Sequence, residues 1–219
     1  MKTGFFTLFL CLFLINCGQG SGKVPIQKSK NTSIINSKPN FSGPIVLLGD
    51  GLSLGKGSSS KESSLEGCLQ RLTNETIVNI AEEAEDSRSI FKKLNQLILL
   101  KPSAIIISLG LNDALLNLNK NSLFSDEETI QNLREIYRRI RPTGALMVHL
   151  GIQPPYPGME RMRKIQDLAQ REGVLYIRQI MKGLWNQSAF MYDLFYPNNE
   201  GYKILCTRLR ADMKKHYNF

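Results

Sequence analysis

Four apolar residues in a row, Ile45 to Leu48, run without polar alternation into Gly49, Asp50 and Gly51. A strand with one wet face alternates in polarity, whereas a strand buried on both faces of a parallel sheet does not. The run therefore predicts a central parallel strand emptying into a tight turn. In open α/β sheets the ligand crevice lies outside the carboxyl ends of the strands, and a helix starting there aims backbone N–H groups into it. Chemistry is expected at Gly49 to Ser53.

The remainder of the chain repeats this scheme. Thr76 to Ile80, Ala104 to Leu109, Ala145 to Leu150 and Val174 to Ile177 read as four further strands, with AIIISL at 104–109 the most central. Between them lie apolar stripes at helical spacing: Leu65, Cys68, Leu69 and Leu72, then Ile90, Phe91, Leu94, Leu97 and Ile98 up to Pro102. Ser125 and Glu128 stand in capping-box spacing before Ile130, Leu133, Tyr137 and Ile140. Met162, Ile165, Leu168 and Ala169 mark another helix, and Tyr202, Leu205, Cys206, Leu209 and Met213 the last. Strands alternating with helices imply right-handed βαβ units. The expected fold is α/β, a three-layer αβα sandwich around a five-stranded parallel sheet of flavodoxin-like order 2-1-3-4-5.

Residues 1–17 resemble an export signal: Lys2 supplies charge, and the apolar run Phe5 to Ile15 is too short for a bilayer span of about 20 residues. LINC, at 14–17, resembles a bacterial lipobox, which would make Cys17 a lipidated mature N-terminus. Asn16 departs from the small residue usual before that Cys, so a plain secretory signal is the alternative. Residues 18–42, poor in apolar residues and without period, read as a flexible linker, leaving 43–219 as one folded domain. Of four cysteines, Cys68 and Cys206 remain inside it. Both read as small buried hydrophobes on the inner stripes of helices that cover the same face of the sheet, so they should lie close together, and export leaves a bridge open.

The net charge of +9 implies attraction to anionic surfaces. No nucleic-acid-binding motif is present, and no His or Cys cluster has zinc spacing, so neither nucleic acid nor a metal or other cofactor is expected.

Three segments fall at strand ends: GDGLS at 49–53, SLGLNDAL around Asn112 and Asp113, and YDLFYPNNEGY from Tyr192 to Tyr202. In this order and on these elements they resemble the SGNH hydrolase or GDSL esterase family from about Pro44 to the C-terminus. In that family a Ser after Gly-Asp is the nucleophile, a second-block Gly and the third-block Asn complete the oxyanion hole, and an Asp three residues before a His completes the triad. The resemblance assigns Asn112 to the oxyanion hole and Asp193 to the triad, and aligns Ala84 with the second-block Gly. The nucleophile position is Gly51 and the His position is Tyr196. Gly has nothing to activate, and a phenol with a pKa near ~10 is a poor base at neutral pH. Loss of either member of such a relay lowers turnover on the order of a million-fold.

Ser53 and His149 are the residues that could replace the lost groups, although Ser53 reads more readily as a cap and His149 as a hydrogen-bonded core residue. Asp50, Asp113 and Asp193 come from three strand ends, with Glu82, Glu83, Glu85 and Asp86 beside the second. They read as a solvated loop or as a pocket favouring a cation. The leading reading is an envelope-anchored, non-catalytic family member that binds an acylated glycan, a lipid or an envelope protein. An active esterase with relocated catalytic groups is the alternative, and a purely structural lipoprotein with an empty crevice is a third.

Overall fold

In the computed structural model the residues described here are 43–118, 125–154 and 160–216. The signal and linker readings, Cys17 included, lie outside them. Five strands, β1 (Ile45–Gly49), β2 (Ile77–Asn79), β3 (Ala104–Ser108), β4 (Leu146–Leu150) and β5 (Leu175–Ile177), form one parallel sheet in the order β2-β1-β3-β4-β5. The predicted order and all five strands are present, with ends trimmed by a residue or so. Ile45–Leu48 and Ala104–Ile107 are wholly buried, as their unbroken apolar runs require.

The helices are α1 (Gly51–Leu54), α2 (Leu65–Thr73), α3 (Leu94–Leu99), α4 (Leu111–Leu118), α5 (Asp126–Ile140), α6 (Glu160–Arg171) and α7 (Asn199–Met213). Side chains alternate across β1, so Ile45 and Leu47 pack with α2 and α7 residues such as Leu69, Tyr202 and Leu205. Val46 and Leu48 pack with α3, α5 and α6 residues such as Leu97, Ile136 and Ile165. Two differences from expectation are local. The stripe from Ile90 to Ile98 is a 3-10 turn, Ser89–Lys93, followed by the short α3. SLGLNDAL, read as a strand end, opens α4 directly after Ser108 and Leu109.

The caps explain where the helices begin. Ser125 Oγ accepts the Glu128 N–H at 3.0 Å, and three acids fill the first turn of α5 while Arg138 and Arg139 fill its last, complementing the helix dipole. Asn198 Oδ1 accepts from Glu200 N and Gly201 N and opens α7. β1 approaches β3 so closely that a Cβ at Gly49, whose φ is +139°, would lie 2.3 Å from the Ser108 carbonyl oxygen. Only glycine permits that approach.

Cys68 of α2 and Cys206 of α7 form a disulfide with Cα atoms 6.2 Å apart. The expected proximity is present. The reading as two unlinked hydrophobes is corrected: α2 and α7 pack side by side on one sheet face, and both thiols point into the seam.

Candidate functional site

The turn after β1 is built around Asp50. Its carboxylate oxygen Oδ1 accepts the Leu52 N–H at 3.1 Å, capping the single turn of α1, and accepts the Ser108 hydroxyl at 3.1 Å. Ser108 thereby spends its only proton on Asp50, so in the 2.8 Å pair with Ser53 it is Ser53 that donates. Burial lifts the Asp50 pKa from 3.8 to about 6 against these hydrogen bonds. Ser53 is fully buried. It does not cap α1, whose cap is Asp50, so the reading of Ser53 as a cap is corrected.

Gly51, the first residue of α1, carries Tyr196 directly above it. A Cβ built on Gly51 would lie 2.8 Å from both Oη and Cε1 of Tyr196 and 2.9 Å from Cζ. The phenol ring therefore takes the volume that a side chain at 51 would need. Lys56 Nζ lies 5.0 Å from the centre of that ring and is ion-paired with Glu83. Burial, then the charge of Asp50, raises the Tyr196 pKa above its ordinary value despite Lys56. Tyr196 is half-buried, closing the turn from above.

The loop bearing Tyr196 is held by its own backbone. Met191 bridges Pro197, the Tyr196 carbonyl accepts from Tyr192 N at 2.9 Å, and Asp193 Oδ1 accepts the N–H groups of Phe195 and Tyr196 at 2.8 Å each. Tyr202 on α7 donates to Lys56 O at 2.9 Å and reaches Leu52 O at 3.2 Å, tying α7 to the loop behind α1.

Asn112, in the first turn of α4, donates to the Glu85 carbonyl at 2.8 Å. It thereby fastens the loop after β2 across the carboxyl edge of β1 and β3. Ala84 sits at an exposed turn in that loop with φ +57°, a conformation that favours glycine. Asn79, unnoticed in the sequence, donates to Ser53 O at 2.8 Å and accepts from Ala81 N at 3.1 Å, joining the same loop to α1. The signal available for it was a lone amide ending the apolar run of β2. Lys56 and Ser108 were also overlooked, and nothing local distinguishes Lys56 from a solvated lysine.

Asp113 does not reach the crevice. It is fully buried and accepts from Ser87 N at 3.1 Å, Ser87 Oγ at 2.5 Å and Thr129 Oγ1 at 3.1 Å, so it locks the β2 loop to α5. The acidic loop is partly solvated, with the Glu82 and Glu83 side chains 70% and 65% exposed, and partly paired. Lys93 pairs with Glu85 at 2.9 Å and Glu82 at 3.0 Å, Glu83 pairs with Lys56, and Asp86 caps Arg88 N and Ser89 N. Lys56, 27 residues before Glu83, and Lys93, from the 3-10 turn that follows the loop, supply the pairing cations. No cluster of His, Cys, Asp or Glu suited to a metal occurs among the described residues.

Neither of the chain's two histidines serves this site. His149 is buried in β4, with Nδ1 accepting from Tyr137 Oη at 2.6 Å and Nε2 donating to Leu109 O at 3.1 Å. Burial pushes its pKa down to about 4, so it is a neutral core residue, as the apolar run around it implied. His216 lies past the C-terminus of α7, whose first turn adjoins Tyr196. A helix of that length carries it on the order of 20 Å away.

The profile of the GDSL-like lipase/acylhydrolase family matches residues 47–204, well over half the chain. The chain belongs to that family. Solved structures share the architecture. TesA is similar at 23% identity and a TM-score of 0.70, over 78% of this chain and 98% of that one. The psychrotrophic esterase EstA from Pseudoalteromonas sp. is similar at 21% identity and 0.67, over 79% and 97%. The acetyl-xylooligosaccharide esterase Axe2 from Geobacillus is similar at 16% identity and 0.65, over 81% and 96%. At these identities the likeness establishes the fold. No curated protein matches at the level of sequence. Within this GDSL-like fold, Gly51 and Asn112 stand in the first turns of α1 and α4 after β1 and β3, Ala84 in the loop after β2, and Asp193 and Tyr196 in the loop leading into α7.

Proposed function

We propose that this GDSL-like protein is a non-catalytic member of its family that serves as a binding protein of a bacterial cell envelope. The observation that carries the reading is the Tyr196 ring packed on a residue without a side chain, where the family's motif has a hydroxyl nucleophile. An acyl-transfer site needs a nucleophile and a base within hydrogen-bond reach of each other. Here the Ser53 hydroxyl is buried and committed to Ser108, the Ser108 hydroxyl is committed to Asp50, and His149 is committed to Tyr137 and Leu109. Both replacements that an active esterase with relocated groups would use are thus engaged elsewhere. Ala84 and Asn112 remain as vestiges of an oxyanion hole, and Asp193 now serves its own loop.

Attachment through a lipidated Cys17 is part of the proposal. No helix among the described residues is long and apolar enough to cross a membrane, and the Cys68–Cys206 disulfide suits a chain that has left the reducing cytosol. The ligand class proposed for the crevice is an acylated glycan, a lipid or an envelope protein. The test is hydrolysis of p-nitrophenyl acetate and butyrate by purified protein lacking residues 1–17. Rates equal to those of a Ser53→Ala control and of buffer are expected. Saturable turnover above both would overturn the reading.

A further inference from the structure

A second concavity lies on the same carboxyl edge of the sheet, beyond β3, where β4, β5 and α6 meet. Its volume is about 240 Å³, and Arg163, Gln166, Tyr176, Arg178, Gln153 and Gln179 line it. That is below the ~300–1,000 Å³ usual for drug-sized ligands, so it suits a smaller molecule. β4 is two strands from β1, so the concavity is laterally about 10 Å or more from the turn at Gly51.

Its electrostatics are one-sided. Among the described residues two guanidinium groups line it and no carboxylate does. Several arginines of this protein find acids, Arg88 with Glu128, Arg141 with Glu172 and Arg161 with Asp126, and others are held by backbone carbonyls, Arg71 by Glu62 O, Arg208 by Ile180 O and Arg210 by Leu72 O. Arg163 and Arg178 form no ion pair or hydrogen bond among the described residues. Arg163 and Gln166 stand in the first two turns of α6, where the helix dipole adds positive potential. The amides are arranged in advance: Gln179 Nε2 donates to Gln153 Oε1 at 3.2 Å, and Gln179 holds φ +47°, a backbone state that a non-glycine residue adopts at a cost. The phenol of Tyr176 donates to Met162 O, closing the floor between β5 and α6.

A planar guanidinium matches a tetrahedral or carboxylate oxyanion bidentately, and amide groups match hydroxyls in both donor and acceptor sense. We propose that this concavity binds a phosphate or sulfate monoester carried on a small polyhydroxylated molecule, with Arg163 and Arg178 holding the anion and the three glutamines holding the hydroxyls. The site is separate from the crevice at Gly51, and its occupation does not depend on whether that crevice hydrolyses esters.

The test is calorimetric titration of the full chain, purified in detergent, with inorganic phosphate, inorganic sulfate, glucose 6-phosphate and uncharged glucose, at low and at physiological salt. Saturable binding of at least one anionic probe is expected, with none of glucose at the same concentration, and weakening by salt. Arg163→Gln with Arg178→Gln should weaken binding on the order of tenfold or more. Both side chains are exposed, so folding should survive, and unchanged circular dichroism will show that it does. The Lys pair at the same positions keeps the charge and loses the fork, and should fall between the two. Tighter binding of the sugar phosphate than of free phosphate identifies an organic ligand, whereas equal binding identifies the bare anion, and either supports the site. No saturable binding up to about 10 mM, or equal affinity in the doubly substituted and native proteins, would overturn it.

Discussion

Gly51→Ser is expected to destabilise the protein when made alone and to be rescued by Tyr196→His. A Cβ at 51 falls 2.8 Å from Oη and Cε1 of Tyr196, inside any normal carbon contact, so the phenol ring must swing away before the new side chain fits. Inserting atoms into filled space of this kind costs about 1–3 kcal/mol. For a domain of this size that is a fall in Tm of about 2–12 °C. Imidazole is shorter than phenol, so the double substitution should recover most of the loss, giving a favourable coupling of about 1–2 kcal/mol in a double-mutant cycle. Activity should follow the same logic, because a hydroxyl without a base stays a poor nucleophile and an imidazole without the hydroxyl has no proton to take. Asp193 already stands three residues before position 196, with Oδ1 on two backbone N–H groups and Oδ2 left for an imidazole. Slow hydrolysis of p-nitrophenyl esters is therefore expected in the double variant and in neither single one. The rate should lie well below that of an intact relative, since a misplacement of ~1 Å costs about a hundred-fold. Gly51→Ser as stable as the native protein would refute the packing argument. A folded double variant no faster than the single ones, across several acyl lengths, would show that the site lacks more than its two missing groups.

Three further outcomes are expected, two from other parts of the structure and one from the sequence at Cys17. Asp50, lifted from 3.8 to about 6, holds a proton in the folded state that the unfolded chain has released, so its contribution falls by about 3 kcal/mol as pH rises from about 4 to 6. His149, lowered from 6.5 to about 4, does the reverse over nearly the same interval by a similar amount. The two largely cancel, so Asp50→Asn, which keeps an acceptor for Leu52 N–H, should gain stability over the native protein progressively between pH 4 and 6 in chemical denaturation. A constant difference across that range would refute it. The disulfide closes a separation of 138 residues, so its removal by Cys206→Ser should lower unfolding free energy by about 2–5 kcal/mol, and an unchanged urea midpoint would contradict this. Metabolic labelling with palmitate should mark the native protein and not Cys17→Ala, and equal labelling of both would sink the anchor proposal.

The sheet was legible because its strands are buried on both faces, which leaves unbroken apolar runs such as Ile45–Leu48 and Ala104–Ile107. The cap at Ser125 was legible for a similarly local reason, since it acts on the Glu128 N–H three residues away. The family's blocks, and with them the absence of a hydroxyl at 51 and an imidazole at 196, are properties of residue identity alone.

What filled the site was decided elsewhere. That the Tyr196 ring rests on Gly51, that Asp113 turns inward to Ser87 and Thr129, and that Lys56 pairs with Glu83 all depend on elements apart in sequence. The same is true of the Cys68–Cys206 bond, which formed because α2 and α7 cover one face of the sheet, and of the arginine-lined concavity, which gathers residues from 151 to 179 around the ends of β4 and β5. Periodicity records which face of an element is dry, and a motif records which atoms are available. Which side chain meets which depends on how the layers stack, and that is a property of the packed chain, so the emptied catalytic position was readable from residue types while its closure by a tyrosine was not.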